Sequence, residues 1–186
     1  MINIEKAAIL IADGFEEIEA LVPFDLLKRA GIVTVLVNVE NKKLTRGNNG
    51  LIIETPTELR GYDFETTDAL IVPGGDAYAV FKNIPLIEDE IRAFAMNPQK
   101  VLGAICAGSA LAGELGVYKN KKYVCVPSMN EDSFGGTFEK KHAVVDGNIV
   151  SGISVGGAFE FAFALIEKLT DKHKAEELKK AVAYTL

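Results

Sequence analysis

The stretch VLGAICAGSALAG, residues 101–113, begins as an apolar β-strand and continues as a helix of small residues, with Cys106 at the joint. A strand that runs straight into a helix is half of a β-α-β unit, the unit that builds parallel sheets. The strand is expected over KVLGAI (100–105) and the helix from about Ser109 to near Gly116. Two readings of Cys106 are open at this point. It is a small hydrophobe filling a core, or a thiolate held at a turn.

The same alternation runs outward in both directions. AAILIA (7–12) is a short apolar run, hence a buried strand, and residues 15–30 read as a helix closed by Gly31. VTVLVNV (33–39) is a β-branched strand, and LTRGNNGLIIET (44–55) carries the hairpin signal Asn49-Gly50. DALIVPGG (68–75) is a buried strand ending in paired glycines, followed by a helix over 84–96. KYVCVP (122–127) reads as a fifth strand and HAVVDGNIVSGIS (142–154) as a hairpin turning at Asp146-Gly147. Helices are expected over 157–169 and 171–184. The pattern predicts one domain over residues 1–186: a three-layer α/β sandwich, a mostly parallel sheet with helices on both faces and hairpins at an edge.

In such sheets ligands bind beyond the carboxyl ends of the strands. ADGFEE (12–17), PGGD (73–76) and ICAGS (105–109) stand there. No G-x-G-x-x-G follows a strand and no phosphate-binding G-x-x-x-x-G-K-[ST] occurs, so a nucleotide site is not expected. The 20 basic residues are scattered and the net charge is −6, which argues against nucleic acid. No apolar run reaches the ~20 residues of a membrane span, and the N-terminal stretch lacks a signal-peptide pattern. With only two cysteines a reducing, cytoplasmic setting is expected, and the two cysteines and two histidines have no metal-ligand spacing.

Ala104-Ile-Cys106-Ala-Gly108 fits a nucleophile elbow, a sharp strand-to-helix turn with small neighbours on both sides. A helix starting just after Cys106 would aim its dipole and free N–H groups at the sulfur and lower its pKa. Gly74-Gly75 would let a neighbouring strand end turn its N–H groups into the same crevice as an oxyanion hole. On a helical wheel from Phe15, Glu19 falls between Leu26 and Ala30 on the apolar arc, and Glu16 falls between Pro23 and Leu27. Glu17 lies beside Lys28 on the polar side. A carboxyl facing the interior has its pKa raised and can serve as an acid and a base beside a thiol.

ADGFEEIEA, LIVPGGD, GAICAGSALAGELG and GGAFEFAFALIEKL occur in this order over nearly the whole chain. Together they resemble the ThiJ/PfpI superfamily, most closely the branch of the Parkinson's-linked deglycase and its bacterial ThiJ/YajL-like relatives. The resemblance implies a flavodoxin-like fold, usually homodimeric. It implies Cys106 as reactive cysteine, Glu19 as its hydrogen-bonded partner, and N–H groups near Gly74, Gly75 and Ala107. It further implies a cofactor-free glyoxalase or deglycase activity on small aldehydes or glycated adducts, with an oxidant-sensing cysteine.

Two departures from the superfamily pattern bear on chemistry. Ala107 stands where the protease-like branch has a histidine, which argues against a cysteine amidase or peptidase. Val126 precedes Pro127 where deglycase relatives often have a histidine, leaving only His142 and His173 in the chain. A redox sensor that turns nothing over is therefore the alternative to an enzyme. Cys125 reads as a buried strand cysteine, with a resolving thiol as the lesser option.

Overall fold

Ala7–Ile11 are fully buried, which is what a central strand covered on both faces requires. The computed structural model describes residues 5–130 and 132–185. It runs β1 (Lys6–Ile11), α1 (Glu17–Arg29), β2 (Val33–Asn38), β3 (Leu44–Arg46), β4 (Ile52–Glu54), β5 (Thr57–Glu58) and β6 (Ala69–Val72). Then follow α2 (Ala77–Phe81), α3 (Pro85–Met96), β7 (Val101–Ile105), α4 (Ala107–Glu114), β8 (Lys122–Tyr123) and β9 (Thr137–Phe138). The chain closes with β10 (Ala143–Asp146), β11 (Ile149–Gly152), α5 (Ala158–Leu169) and α6 (Lys172–Ala181).

Seven strands form the main sheet in the order β10-β11-β7-β6-β1-β2-β5, parallel except for β10 against β11. The α/β architecture with a mostly parallel sheet flanked by helices is as expected. Ile9 of β1 pairs with Ile71 of β6, and Ile71 with Gly103 of β7. Gly103 is a packing site: a Cβ there would stand 2.8 Å from Leu165 of α5, so glycine lets that helix press onto the sheet. After β1 the chain winds outward through β2 to β5, then returns to β6 on the other side of β1. The order reverses between β1 and β6, and a crevice opens at such a switch point.

Several expectations need correction. KYVCVP is not a strand of the main sheet; only Lys122–Tyr123 is extended, paired with Thr137–Phe138 in a small separate sheet. Beyond Tyr123 side chains replace the ladder: Val124 N–H donates to Ser151 Oγ at 3.0 Å, and Ser109 Oγ–H donates to the Val124 carbonyl at 2.6 Å. Pro127 then withholds an N–H. The hairpin at 44–55 is its own two-stranded sheet and extends no edge of the main one. The helix after Cys106 begins at Ala107, two residues earlier than expected, and ends at Glu114. Helix α2 and strand β5 were not anticipated. Among the described residues no helix is long and apolar enough to cross a membrane.

Candidate active site

Cys106 is the residue between β7 and α4, and its backbone is bent to φ 59°, ψ −124°. That conformation is costly for an L-residue, about 1–3 kcal/mol, and persists only where the surroundings hold it. Here they do. The Cys106 N–H donates to the Gly152 carbonyl of β11 at 3.0 Å, and its own carbonyl accepts the Ala110 N–H at 3.1 Å. A Cβ on Gly108 would stand 2.3 Å from the Val72 carbonyl oxygen, so glycine lets α4 press against the end of β6. The elbow therefore follows from the small residues around the cysteine.

Glu19, in the first turn of α1, is fully buried. Its Oε2 accepts the Gly74 N–H at 2.9 Å, while Oε1 has no close hydrogen-bond partner among the described residues. Burial raises its pKa to about 7, against the Cys106 thiol and the N–H groups of Gly74 and Val155, which hold it down. The thiol and the carboxyl are close enough for each to shift the other's pKa. A Cβ on Gly74 would stand 2.7 Å from Glu19 Oε2 and 2.9 Å from the Ala107 nitrogen, so glycine at 74 is what allows this approach.

Burial and the Glu19 charge push the Cys106 thiol up to about 12, opposing hydrogen bonds from Ser154 and the Ala107 N–H. This reverses the expected lowering: the start of α4 does address the sulfur, but desolvation and a neighbouring carboxylate outweigh it. The resting pair is a thiol beside a carboxylic acid that titrates near neutrality.

The two glycines divide their roles. Gly74 was expected to offer its N–H to a ligand, but Glu19 takes that N–H. Gly75, at φ 81°, has an N–H with no backbone acceptor among the described residues. Glu16 is half-buried at the rim; its N–H donates to the Gly74 carbonyl at 3.2 Å and its carboxylate accepts from Asn49 Nδ2 at 3.4 Å. Glu17, on the polar side of the helix as expected, holds the hairpin turn by accepting the Asn49 N–H at 2.7 Å. Together these contacts pin β3–β4 to the loop after β1.

Ser154 and Val155, just past β11, were missed. Ser154 Oγ lies 3.7 Å from Cys106 Sγ. Since β11 is parallel to β7, its carboxyl end opens on the same crevice, and the strand-end rule could have found them. The histidines go elsewhere: His142 Nδ1 is 2.7 Å from Glu160 Oε1, and the exposed His173 lies 3.7 Å from Glu177. Val126 is half-buried. Cys125 is buried and close to Asn130 Oδ1, at 3.9 Å. Among the described residues no three His, Cys, Asp or Glu side chains gather closely enough to hold a metal ion.

Known proteins of similar sequence and shape carry related activities in their names. The chain is 28% identical to the glutathione-independent glyoxalase DJ-1 of Schizosaccharomyces pombe, covering 96% of this chain and 98% of that one. It is 27% identical to a deglycase of Thermococcus kodakarensis, covering 88% and 99% respectively. The solved structure of S. pombe DJ-1 superposes with a TM-score of 0.89 at 26% identity, over 97% of this chain and all of that one. The DJ-1/PfpI family pattern matches residues 5–168, and the chain belongs to that family.

Proposed function

We propose that this chain is a cysteine-dependent glyoxalase or deglycase-like enzyme acting on methylglyoxal-type aldehydes or their glycated adducts. The observation that carries it is the bent Cys106 turn set against a buried Glu19 that titrates at about 7. A group with its pKa near the working pH can both take and return a proton. The glyoxalase and deglycase names of the two relatives support the substrate class.

The steps use side chains of this chain. The Cys106 S–H proton moves to the Glu19 carboxylate, and the sulfur attacks the aldehyde carbon to give a hemithioacetal. Proton transfer and attack are coupled, since a thiol pushed up to about 12 holds little resting thiolate. Glu19 Oε1, without a close partner, is free to shuttle the proton between the two substrate carbons through an enediol. The N–H groups of Gly75 and Ala107 face the developing oxyanion. Water cleaves the resulting thioester and releases lactate from methylglyoxal.

The test is lactate formation from methylglyoxal by the wild type and by Cys106→Ser. Turnover at least about a hundredfold above the variant is expected; equal rates sink the enzyme. A redox sensor is the second reading, favoured by the engagement of His142 with Glu160, away from Cys106. Mild peroxide should then add oxygen stepwise at Cys106, read by mass spectrometry, and oxidation elsewhere with Cys106 intact counts against it.

The homodimer and the cytoplasmic setting belong to the same proposal. A groove of about 280 Å³ lined by Ile18, Leu21, Val22, Leu26 and Phe159 offers an apolar face, with Ile18 and Phe159 exposed. Sedimentation at micromolar concentration checks the dimer; a monomer removes it.

A further inference from the structure

Besides Glu19, the side-chain group that meets the Cys106 sulfur among the described residues is the Ser154 hydroxyl, with Oγ 3.7 Å from Sγ. Sulfur hydrogen bonds are long, and this one joins two groups held in place. Ser154 leaves β11 with an extended backbone, φ −178° and ψ −167°, and its carbonyl accepts the Gly157 N–H at 2.8 Å. On one side Ile153 N–H donates to the His142 carbonyl at 2.9 Å. On the other, Val155 opens a short helical turn, Val155–Gly157. The hydroxyl is thus fixed from both flanks and faces the elbow.

Among the described residues no lysine, arginine or histidine acts on the Cys106 sulfur. His142 is occupied by Glu160, His173 lies out on α6, and Val126 can neither donate nor accept a proton. What remains around the sulfur is the Ala107 N–H, the start of α4, and one hydroxyl. A hydroxyl is both donor and acceptor and can turn about its C–O bond. It can therefore accept the S–H of the resting thiol and donate to the sulfur once the proton has gone.

We propose that Ser154 is the thiolate-stabilising residue of this site: its hydroxyl donates to the Cys106 sulfur when Cys106 is ionised. This rests on Cys106 being the reactive group. In the step, the S–H bond breaks and an O–H bond forms on Glu19. The sulfur keeps the electron pair, and the Ser154 O–H rotates onto it. No other group enters or leaves. Neutral donors here do the work of a positive charge.

The experiment measures alkylation of Cys106 by iodoacetamide from pH 6 to 10, by peptide mass spectrometry, in the wild type, Ser154→Ala and Ser154→Thr. Removing the hydroxyl should move the midpoint of the alkylation profile up by about one unit, which slows the reaction about tenfold below that midpoint. Ser154→Thr should return to within about threefold of wild type, because it keeps the donor. Should the alanine variant fail to fold, the equal-shaped pair Ser154→Thr and Ser154→Val gives the same contrast. Rates for Ser154→Ala within twofold of wild type overturn the proposal. So does a threonine variant as slow as the alanine or valine one, since that marks a packing role. The two proposals fail separately. If methylglyoxal is not turned over but alkylation follows the hydroxyl, the enzyme is lost and Ser154 keeps its role. If turnover needs Cys106 but alkylation ignores Ser154, the reverse holds.

Discussion

The two cysteines occupy similar sequence and different chemistry. KVLGAICAGS (100–109) and KYVCVPS (122–128) each carry a cysteine after an apolar run. Burial pushes both thiols up, Cys106 to about 12 and Cys125 to about 11. Ionisation therefore does not separate them. Backbone and neighbours do. Cys106 sits at φ 59° on a turn, half-buried, with Glu19 and Ser154 against its sulfur. Cys125 is fully buried in a segment tied down by Ser109 and Ser151, and its sulfur is near the Val126 carbonyl and Asn130. A free cysteine becomes a site through what the fold sets beside it.

Reagent access sharpens the contrast most. At pH 9, one unit of pKa favours ionisation of Cys125 about tenfold. Reaching it, however, requires opening a core segment, and core openings approach the global stability of about 5–15 kcal/mol. The larger effect wins, and Cys106 should react with iodoacetamide about a thousandfold faster than Cys125 in the native protein. Peptide mass spectrometry reads both sites at once, and the gap should close in denaturant. Comparable native rates would show that the 124–126 segment opens locally.

The next effect follows from Glu19. Its folded pKa of about 7 lies above the unfolded value of 4.5, so the native state binds the extra proton between these pH values. The Glu19 contribution to stability is then fully present below about pH 4.5 and is lost as pH rises through 7. Glu19→Gln, which carries no charge, removes this loss. By urea unfolding the variant should exceed the wild type by about 3 kcal/mol at pH 8 and by little at pH 4. A difference that stays constant over this range would mean that Glu19 is not the buried titrating group.

The sequence made the strand order partly legible because strands buried on both faces read as unbroken apolar runs. Ala7–Ile11, Ala69–Val72 and Val101–Ile105 all behave this way. Residues 122–127 look the same and are not a central strand, since Ser109 and Ser151 claim the Val124 backbone from distant parts of the chain. Glu19 was legible because a carboxylate interrupts an apolar arc. Ser154 was not, because a serine after a strand interrupts nothing. The rise of the Cys106 pKa was hidden for a related reason: the helix start beside it is local, whereas the burial and the Glu19 charge come from the assembled sheet.

The smallest effect tests the elbow itself and gives the two cysteines opposite signs. Glycine reaches φ 59°, ψ −124° without the steric penalty that Cys106 bears, about 1–3 kcal/mol. Against that relief stands the greater entropy of a glycine in the unfolded chain, about 0.5–1 kcal/mol. Cys106→Gly should therefore stabilise the fold by about 1 kcal/mol, and Cys106→Ala, which keeps the Cβ and the strain, should not. Cys125→Gly has no strain of this kind to relieve and empties a fully buried position, so it should cost about 2 kcal/mol. Chemical denaturation of the three variants decides the matter. If Cys106→Gly is as unstable as Cys125→Gly, the bent turn stores no strain, and Cys106 is held by its packing alone.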